Sequence, residues 1–329
     1  MKSPRLPKIE EEFEKLKETV LSGDNFILAP HLNPDGDAIG SMLAFYSLLK
    51  RLGKKVFLFS QDPIPSNLFF LDGIKKIKRV LPSRIPKNCT AVLFECSVPK
   101  RAGDIEKFLA ECSKVVNIDH HKTAQLYGDI NILDGSSSST AEIIYRFFYD
   151  IKLKINKNEA ACLYTGIVTD TGRFHFPATS PRTHEIAALL LQEKFDFSKI
   201  NDIIYATKPY PSLKLLGRAL ESLKLLNKGK IAVMTLKLSD FKEFSARAEH
   251  TENIINYAMM IPGVKACVLF KEEETRVTAT FRSKDEIDVS KVASFFGGGG
   301  HKNASGCKLP LPLETAEKKI ISSLLEIFK

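Results

Sequence analysis

Short apolar runs alternate with stretches of helical spacing through the first half of the chain. Apolar runs of this length, bounded by polar residues, are typical of buried strands. They predict four strands, over residues 25–30, 55–59, 91–95 and 114–118. Strands that alternate with helices form stacked βαβ units, so we expect an α/β fold with a mostly parallel sheet flanked by helices.

The stretches between these apolar runs have the periodicity of helices. It predicts a helix over residues 38–52 and another over 158–170, with Asp170 near the end of the second. A third helix is expected to begin after Ser139, whose spacing to Glu142 predicts a capping box. The serine run before this helix is typical of a helix cap and loop.

The second half predicts a different, smaller unit. An almost continuous helical pattern covers residues 181–227 and is interrupted at Pro209 and Pro211. Alternation then resumes, with predicted strands at 231–236, 265–270 and 276–281, helices at 249–260, 289–296 and from 313, and a glycine loop at 297–300. Because one hydrophobic core rarely organises 329 residues, we expect a second, smaller α/β domain here.

Charge and cysteine content change this picture only slightly. The chain has 48 Lys and Arg against 39 Asp and Glu, and this net charge of +9 favours phosphate-bearing partners without specifying one. Its six cysteines form no Cys-x-x-Cys pair, which argues against disulfides and zinc fingers and predicts reduced thiols in the cytoplasm. Since no window is long and apolar enough to span a bilayer, we expect no membrane association.

A loop between the first predicted strand and helix carries one imidazole and two carboxylates, from His31, Asp35 and Asp37. A purely structural turn is one explanation, because Asn-Pro and Asp-Gly are common turn dipeptides. A calcium loop is excluded by position, since the glycine and glutamate that it needs fall on Ala38 and Ala44.

A second polar group, Asp119, His120 and His121, directly follows a predicted strand. One histidine there is usually structural, but three such residues are harder to explain by packing, because buried charge is costly unless it is paired or metal-bound. Asp170 adds a carboxylate from a helix end, where an ordinary turn aspartate is the alternative.

These groups are expected to converge, because His31, Glu95 and Asp119 lie at or just after the ends of three predicted parallel strands. Ligand sites in open α/β sheets lie beyond the carboxyl ends of the strands. Imidazole and carboxylate without thiolate suit Mn²⁺, with Mg²⁺ or Co²⁺ as alternatives. The number of ligands favours two ions about 3.5–4 Å apart, an arrangement that implies hydrolysis of a phosphoester or phosphoanhydride.

The glycine segment at 297–300 precedes His301 and Lys302. A flexible surface loop is the simpler interpretation, although glycine also lets backbone amides approach an anion closely. The Walker and dinucleotide-binding patterns both fail at Lys302. We expect His301 and Lys302, with Arg282 on a nearby predicted strand, to bind substrate phosphate.

Four segments of the chain resemble motifs of the DHH/DHHA1 phosphoesterases, and in particular their stand-alone oligoribonuclease and nucleotide phosphatase branch. They are residues 31–41, 119–121, 169–172 and 297–301, in the order that this family has them. The resemblance implies a metal-binding catalytic DHH domain over 1–190, a helical linker over 191–227 and a substrate-binding DHHA1 domain over 228–329.

The resemblance also implies which residues bind metal and substrate. His31 and Asp35 would bind one ion, and Asp37, His120 and Asp170 a second. Glu95 stands where the family has a bridging aspartate; being longer by one methylene, it would either bridge the ions with a shifted backbone or bind one of them. The residues that would bind substrate are Arg282, Gly298, Gly299, Gly300 and His301.

Two further residues of the DHH motif are expected to act in catalysis. Asp119 would orient a ligand histidine through its second ring nitrogen. His121 would stabilise negative charge that develops on the phosphoryl oxygens.

The resemblance implies hydrolysis of short linear oligoribonucleotides, including the dinucleotide pApA, to 5′-mononucleotides. Cyclic di-AMP and 3′-phosphoadenosine-5′-phosphate are alternative substrates, and a non-catalytic nucleotide-binding protein is an alternative of another class. An inorganic pyrophosphatase would lack the terminal glycine-histidine motif. We expect no duplex nucleic acid as partner and consider a homodimer.

Overall fold

The computed structural model describes residues 9–86 and 88–328. The chain divides into two compact units between Thr207 and Lys208. The segment 191–227, which we predicted as a linker, is therefore shared between the first unit and the second. None of the helices in the described ranges is long and apolar enough to cross a bilayer.

The first unit is built on a sheet of five strands in the order β2-β1-β3-β4-β5, and every neighbouring pair is parallel. The strands are β1 Asn25–Pro30, β2 Lys55–Leu58, β3 Cys89–Phe94, β4 Lys114–Asp119 and β5 Ile130–Leu133. The sequence predicted the first four. It missed β5, because this run has only four residues, among them the polar Asn131.

Six α-helices of the first unit lie in the described residues. They are α1 Ile9–Ser22, α2 Gly36–Arg51, α3 Thr140–Asp150, α4 Lys157–Asp170, α5 Pro181–Leu191 and α6 Phe197–Asn201. A 3-10 segment, Pro99–Glu111, and a π-helical turn, Asp202–Ala206, also belong to this unit.

The two faces of the sheet bury alternate residues of the same strand. Phe26 and Leu28 of β1 belong to the larger core with helical residues such as Phe45, whereas Ile27 and Ala29 belong to a smaller core with the 3-10 segment. Side chains alternate along a strand, and burial on both faces explains why the strands are continuously apolar in sequence. The expected parallel sheet with flanking helices is confirmed.

Helices α2 and α4 cross at glycines. A Cβ atom added at Gly36 would lie 2.5 Å from Oγ1 of Thr169, and one added at Gly166 would lie 2.6 Å from Oδ1 of Asp37. At Gly40 an added Cβ would meet a backbone carbonyl oxygen of α4. The helices approach this closely only because these side chains are missing. The crossing brings the beginning of α2 beside the end of α4.

The second unit is a mixed sheet of six strands in the order β10-β11-β9-β8-β7-β6, in which β7 and β8 are parallel and the other pairs antiparallel. The strands are β6 Lys224–Leu226, β7 Ile231–Leu236, β8 Ala266–Glu272, β9 Val277–Ser283, β10 Gly299–His301 and β11 Ala304–Leu309. The helices are α7 Tyr210–Glu221, α8 Leu238–Glu243, α9 Ile254–Met259, α10 Ser290–Phe295 and α11 Leu313–Glu326. The expected mixed α/β architecture is confirmed.

The predicted capping box at α3 forms only in part. Ser139 caps the helix and accepts a hydrogen bond from the amide of Glu142 at 3.1 Å. The Glu142 carboxylate, however, accepts from the hydroxyl of Ser138 at 2.7 Å and from Nε of Arg182 at 2.6 Å. The charged partner Arg182 explains why Glu142 does not return to the Ser139 amide.

In the second unit, backbone geometry explains where the observed helices and strands differ from the predicted ones. The helix predicted over 249–260 is divided into a 3-10 turn, Ala248–Thr251, and α9, because Asn253 adopts a left-handed φ of 64°. Pro211 lies in the first turn of α7 instead of interrupting a helix, since no amide is needed there. Part of the predicted glycine loop is strand β10.

We predict that Gly40→Ala destabilises the first unit. The new methyl group gains helix propensity but forces α2 away from α4, and such overpacking costs about 1–3 kcal/mol. Gly217→Ala in α7 is the matched control, because an added Cβ there meets nothing within 4 Å; it is expected to stabilise by about 0.5–1 kcal/mol. Urea unfolding measures both, and a Gly40→Ala protein as stable as wild type would contradict the packing described.

Candidate metal centre

The carboxyl ends of β1, β3 and β4 are neighbours in the sheet, and polar residues follow each of them. His31 follows β1, Glu95 follows β3 and His120 follows β4. Two aspartates reach the same place from helices, because Asp37 lies in the first turn of α2 and Asp170 is the last residue of α4. The α2–α4 crossing and the parallel sheet together bring all five residues to one site.

A first group of ligand atoms comes from His31, Asp35 and Glu95, and these atoms lie within 4.8 Å of one another. Nε2 of His31 is 3.7 Å from Oδ2 of Asp35 and 3.8 Å from Oε2 of Glu95. Nδ1 of His31 lies 2.7 Å from the carbonyl oxygen of Leu32. A proton on Nδ1 donates to that carbonyl and leaves the lone pair of Nε2 facing the carboxylates, as metal binding requires.

The two carboxylate oxygens of Asp35 have different roles. Oδ1 caps α2 by accepting from the amides of Asp37 and Ala38 at 3.1 and 3.0 Å, while Oδ2 faces His31. Burial raises the pKa of Asp35, but the nearby imidazole of His31 and the hydrogen bonds from these amides outweigh burial and hold the pKa below its ordinary value. Asp35 therefore stays ionised.

A second group comes from Asp37, His120 and Asp170, again with ligand atoms within 4.8 Å of one another. Nε2 of His120 lies 3.3 Å from Oδ2 of Asp170. Asp37 is fully buried and is held by the beginning of α3, where the amides of Thr140 and Ala141 donate to its two oxygens at 2.6 and 2.9 Å. The positive end of that helix favours a carboxylate at this position.

Glu95 lies between the two groups. Its side chain belongs to the first group and also forms a group with His120 and His121. Its backbone is left-handed, with a φ of 58°, a conformation that is strained for a residue other than glycine and that turns the side chain into the site. The sequence left open whether Glu95 contacts one ion or two, and this position is close to ligands of both groups.

The site is short of positive charge. Burial and the neighbouring carboxylates raise the pKa of Asp170 to about 7 and that of Asp37 to about 6, and burial with the charges of Asp37 and Asp35 raises the pKa of Glu95 well above its ordinary value. Oε1 of Glu95 and Nε2 of His120 are buried and have no hydrogen-bond partner among the described residues. Hard oxygen and nitrogen ligands with unused lone pairs fit a divalent cation.

Asp119 holds His121 at the margin of the site. Oδ1 of Asp119 lies 2.7 Å from both the amide nitrogen and Nδ1 of His121, and Oδ2 accepts from the hydroxyl of Ser97 at 3.0 Å. The bond to buried Asp119 raises the pKa of His121, whose ring is partly exposed. The histidine that Asp119 orients is thus His121, not His120 of the second group.

The sequence did not reveal two of the polar supports. Ser97 holds Asp119, and Ser41 donates to Asp37 at 3.3 Å. Ser97 lies two residues after Glu95, so its place beside a strand end was a usable signal. Ser41 lies one helical turn beyond Asp37, which places both side chains on one face of α2.

In the second unit, Arg282 and His301 lie in one row across three strands. His301 pairs with Ala304, and Ala304 pairs with Arg282, so their side chains point to the same face of the sheet. His301 is exposed and Arg282 half-buried. Lys302, by contrast, is paired with Glu286. The face offers an imidazole and a guanidinium group on either side of a small residue.

Gly298, Gly299 and Gly300, which we predicted to bind substrate, lie where the chain packs closely against β11. A Cβ at Gly300 would lie 2.6 Å from the carbonyl oxygen of Ala304, and one at Gly298 would lie 2.6 Å from Cβ of Cys307. Packing alone therefore accounts for these two glycines. Gly299 is open, with nothing near an added Cβ.

Comparison with known proteins gives two family matches. Residues 25–167 match the DHH family, N-terminal domain, and residues 228–329 match the DHHA1 domain. Together they cover more than two thirds of the chain, including every candidate residue above except Asp170.

Individual relatives match along nearly their whole length. The chain is 29% identical to "Bifunctional oligoribonuclease and PAP phosphatase NrnA" of Bacillus subtilis, over 90% of this chain and 92% of that protein. It is 30% identical to "Uncharacterized protein MG371 homolog" of Mycoplasma pneumoniae, over 92% and 90%. The crystal structure of an exopolyphosphatase-related protein from Bacteroides fragilis matches with a TM-score of 0.81 at 25% identity, over 98% of this chain and all of that one.

We predict that Mn²⁺ stabilises the protein against unfolding and that Glu95→Gln removes most of this gain. A ligand at 100 times its dissociation constant adds about 2.7 kcal/mol per site. Without cation the variant should melt at or above the wild-type melting temperature, because glutamine removes a carboxyl group whose charge is disfavoured by burial and by the neighbouring carboxylates. Added Mn²⁺ should raise the melting temperature of Glu95→Gln less than that of wild type. Differential scanning calorimetry with and without EDTA measures both effects.

Asp134→Asn is the matched control for this experiment. Asp134 lies outside the cluster and pairs with Arg146 at 2.5 Å, and its hydrogen bonds hold its pKa at about 2 against burial. Without cation, Asp134→Asn should have a lower melting temperature than wild type. Added Mn²⁺ should raise its melting temperature by as much as it does in wild type. An equal Mn²⁺ response in wild type and Glu95→Gln would remove Glu95 from the ligand set.

Proposed function

Because the chain belongs to the DHH family and carries its DHHA1 domain, we propose that it is a metal-dependent phosphodiesterase that hydrolyses short linear oligoribonucleotides such as pApA to 5′-mononucleotides. The observation that carries this proposal is the pair of ligand groups linked by Glu95. A relative that matches over nine tenths of the chain bears the name of an oligoribonuclease and PAP phosphatase. Phosphatase activity on 3′-phosphoadenosine-5′-phosphate is the second candidate.

The proposed ligand sets are His31, Asp35 and Glu95 for one ion and Asp37, His120 and Asp170 for the other, with Glu95 contacting both. Mn²⁺ suits these mixed imidazole and carboxylate donors, and Mg²⁺ or Co²⁺ are the alternatives. When bound, two such ions supply an activated water and positive charge for the phosphoryl oxygens. Their charge also allows Asp37, Glu95 and Asp170 to lose their protons together.

His121 acts directly on the substrate in this proposal. Its Nδ1 is bound by Asp119, so its Nε2 is available to donate to a phosphoryl oxygen. The raised pKa keeps more of the ring in the charged form, which strengthens that bond where negative charge develops. Asp119 and Ser97 position the ring and touch no substrate.

The second unit binds the substrate in this proposal. His301 and Arg282 point from one face of its sheet, and between them Ala304 leaves room for a phosphate. The open Gly299 is the member of the glycine segment that backbone packing does not require, so its amide is suited to a nearby anion. The proposal extends to cyclic di-AMP, by way of pApA.

We also propose the cytoplasm as the place of action. All six cysteines are free thiols. A reducing compartment keeps thiols in this state.

Turnover of pApA with and without Mn²⁺ tests the proposed function. Wild type should release 5′-AMP only with added ion, and Asp170→Asn should lower kcat at least about 100-fold, since even an outer partner of a metal ligand costs about 10–100-fold. Asp202→Asn, an exposed carboxylate on the π-helical turn, is the control and should match wild type. Undiminished activity in EDTA, or in Asp170→Asn, would exclude this metal centre as the catalyst.

His301→Ala tests the role of the second unit. Loss of a hydrogen bond to a charged phosphate costs about 1.5–3 kcal/mol, so KM for pApA should rise about tenfold or more while kcat stays near wild type. Lys302→Ala is its neighbour control, because Lys302 is already paired with Glu286. Equal kinetics for His301→Ala and Lys302→Ala would assign no substrate contact to His301.

A further inference from the structure

A pocket of about 370 Å³ lies beyond the carboxyl end of β2, in the first unit. β2 is the edge strand and pairs only with β1 in the described sheet. The chain leaves β2, turns, and returns beside it, where Phe59 bridges Lys78 and the amide of Ser60 donates to the carbonyl oxygen of Lys78 at 3.0 Å. The metal ligands follow the next strands of this sheet, so the pocket and the metal centre share its carboxyl edge.

The walls of this pocket are mostly apolar. Ile64, Ile74 and Ile77 line it, and Phe69 lies at its mouth with 58% of its surface exposed. A large aromatic side chain this exposed costs free energy in water unless something covers it. The size of the pocket is in the range that small-molecule ligands occupy.

Basic side chains surround this apolar wall. Lys75 and Arg79 both line the pocket and are exposed. Nε of Arg79 donates to the carbonyl oxygen of Gln61 at 3.1 Å, which fixes the guanidinium group at the rim. The one acidic residue among the lining residues, Asp62, has Oδ2 bound to a backbone amide. The rim therefore suits an anionic ligand with a flat apolar part.

A direct contact joins the pocket to the metal centre. Oδ2 of Asp62 accepts from the amide of Asn33 at 2.8 Å. Asn33 lies between His31 and Asp35 and adopts a left-handed φ of 54°. Because β2 and β1 are neighbouring strands of the sheet, about 4.8 Å apart, the pocket lies next to the strand end that carries the first ligand group.

We propose that this pocket binds a nucleobase of the substrate, with the ring stacked on Phe69 and an adjoining phosphate beside Lys75 and Arg79. The proposal rests on the proposed function, since it concerns the nucleotide next to the phosphate at the metal centre. Aromatic side chains bind any base through its flat face, and basic residues follow the backbone of a single strand.

This subsite distinguishes substrates by their number of bases. The dinucleotide pApA has two bases, so one base occupies the pocket while the phosphodiester lies at the metal centre. The pocket takes the base of the nucleotide that keeps the scissile phosphate, and a nucleoside bisphosphate has no base on that side. The pocket therefore favours linear oligonucleotides over 3′-phosphoadenosine-5′-phosphate.

Phe69→Ala tests the pocket through two substrates. KM for pApA should rise about tenfold, in line with alanine substitution of stacking residues, whereas KM for 3′-phosphoadenosine-5′-phosphate and kcat for both should stay within twofold. Phe69→Tyr keeps the ring and should restore the wild-type KM. Tyr149→Ala, which removes an aromatic residue that is 80% exposed on α3, should change neither substrate. Unchanged KM for pApA, or equal rises for both substrates, would overturn the proposal.

Equilibrium binding separates failure of the pocket from failure of the proposed function. Fluorescently labelled pApA is titrated into Asp170→Asn and into the double variant with Phe69→Ala, so that no turnover is needed. About tenfold weaker binding in the double variant supports the pocket even if wild type hydrolyses nothing, and equal binding overturns it. A plot of the logarithm of the binding constant against the logarithm of the salt concentration should be less steep for Arg79→Gln, by the contribution of about one phosphate contact. An unchanged slope would overturn the proposed contact between Arg79 and a phosphate.

Discussion

Four carboxyl groups crowd together at the candidate metal centre, two of them fully buried, and their mutual repulsion is the constraint on which the rest of the site depends. They belong to Asp35, Asp37, Glu95 and Asp170. Two other buried carboxylates of this unit are each balanced by an arginine: Glu142 by Arg182 and Glu159 by Arg51. Within the described residues, the ion-pair partners of this cluster are histidines, so protons or added cations must balance its negative charge. We therefore expect cation binding, folding stability and catalysis to be linked in this protein.

The fold imposes this crowding through two separate geometries. Parallel strands bring His31, Glu95 and His120 together because their carboxyl ends share one edge of the sheet. Asp37 and Asp170 come from helices that approach closely only at glycines, such as Gly40 and Gly166. Backbone amides of α3 then fix Asp37. A small loss of helix packing would therefore separate the two ligand groups.

The sequence predicted the first geometry and not the second. Apolar runs followed by polar residues were enough to place His31 and Glu95 at strand ends, because strand order matters little when every strand is parallel. Nothing in local periodicity indicated that Gly36 and Gly40 would lie against α4, since a helix crossing depends on contacts distant in sequence. The left-handed backbone of Glu95 was equally hidden, because propensity disfavours it and only the surrounding structure maintains it. For the same reason Asn253 divided a helix that periodicity predicted as continuous.

Anomalous diffraction at the manganese absorption edge, from crystals grown with Mn²⁺, tests the central claim most directly. The account predicts two peaks about 4 Å apart or less, one among His31, Asp35 and Glu95 and the other among Asp37, His120 and Asp170, with Glu95 between them. No peak among these residues would contradict it. A single peak that does not contact Glu95 would contradict the shared carboxylate on which the two-ion arrangement rests.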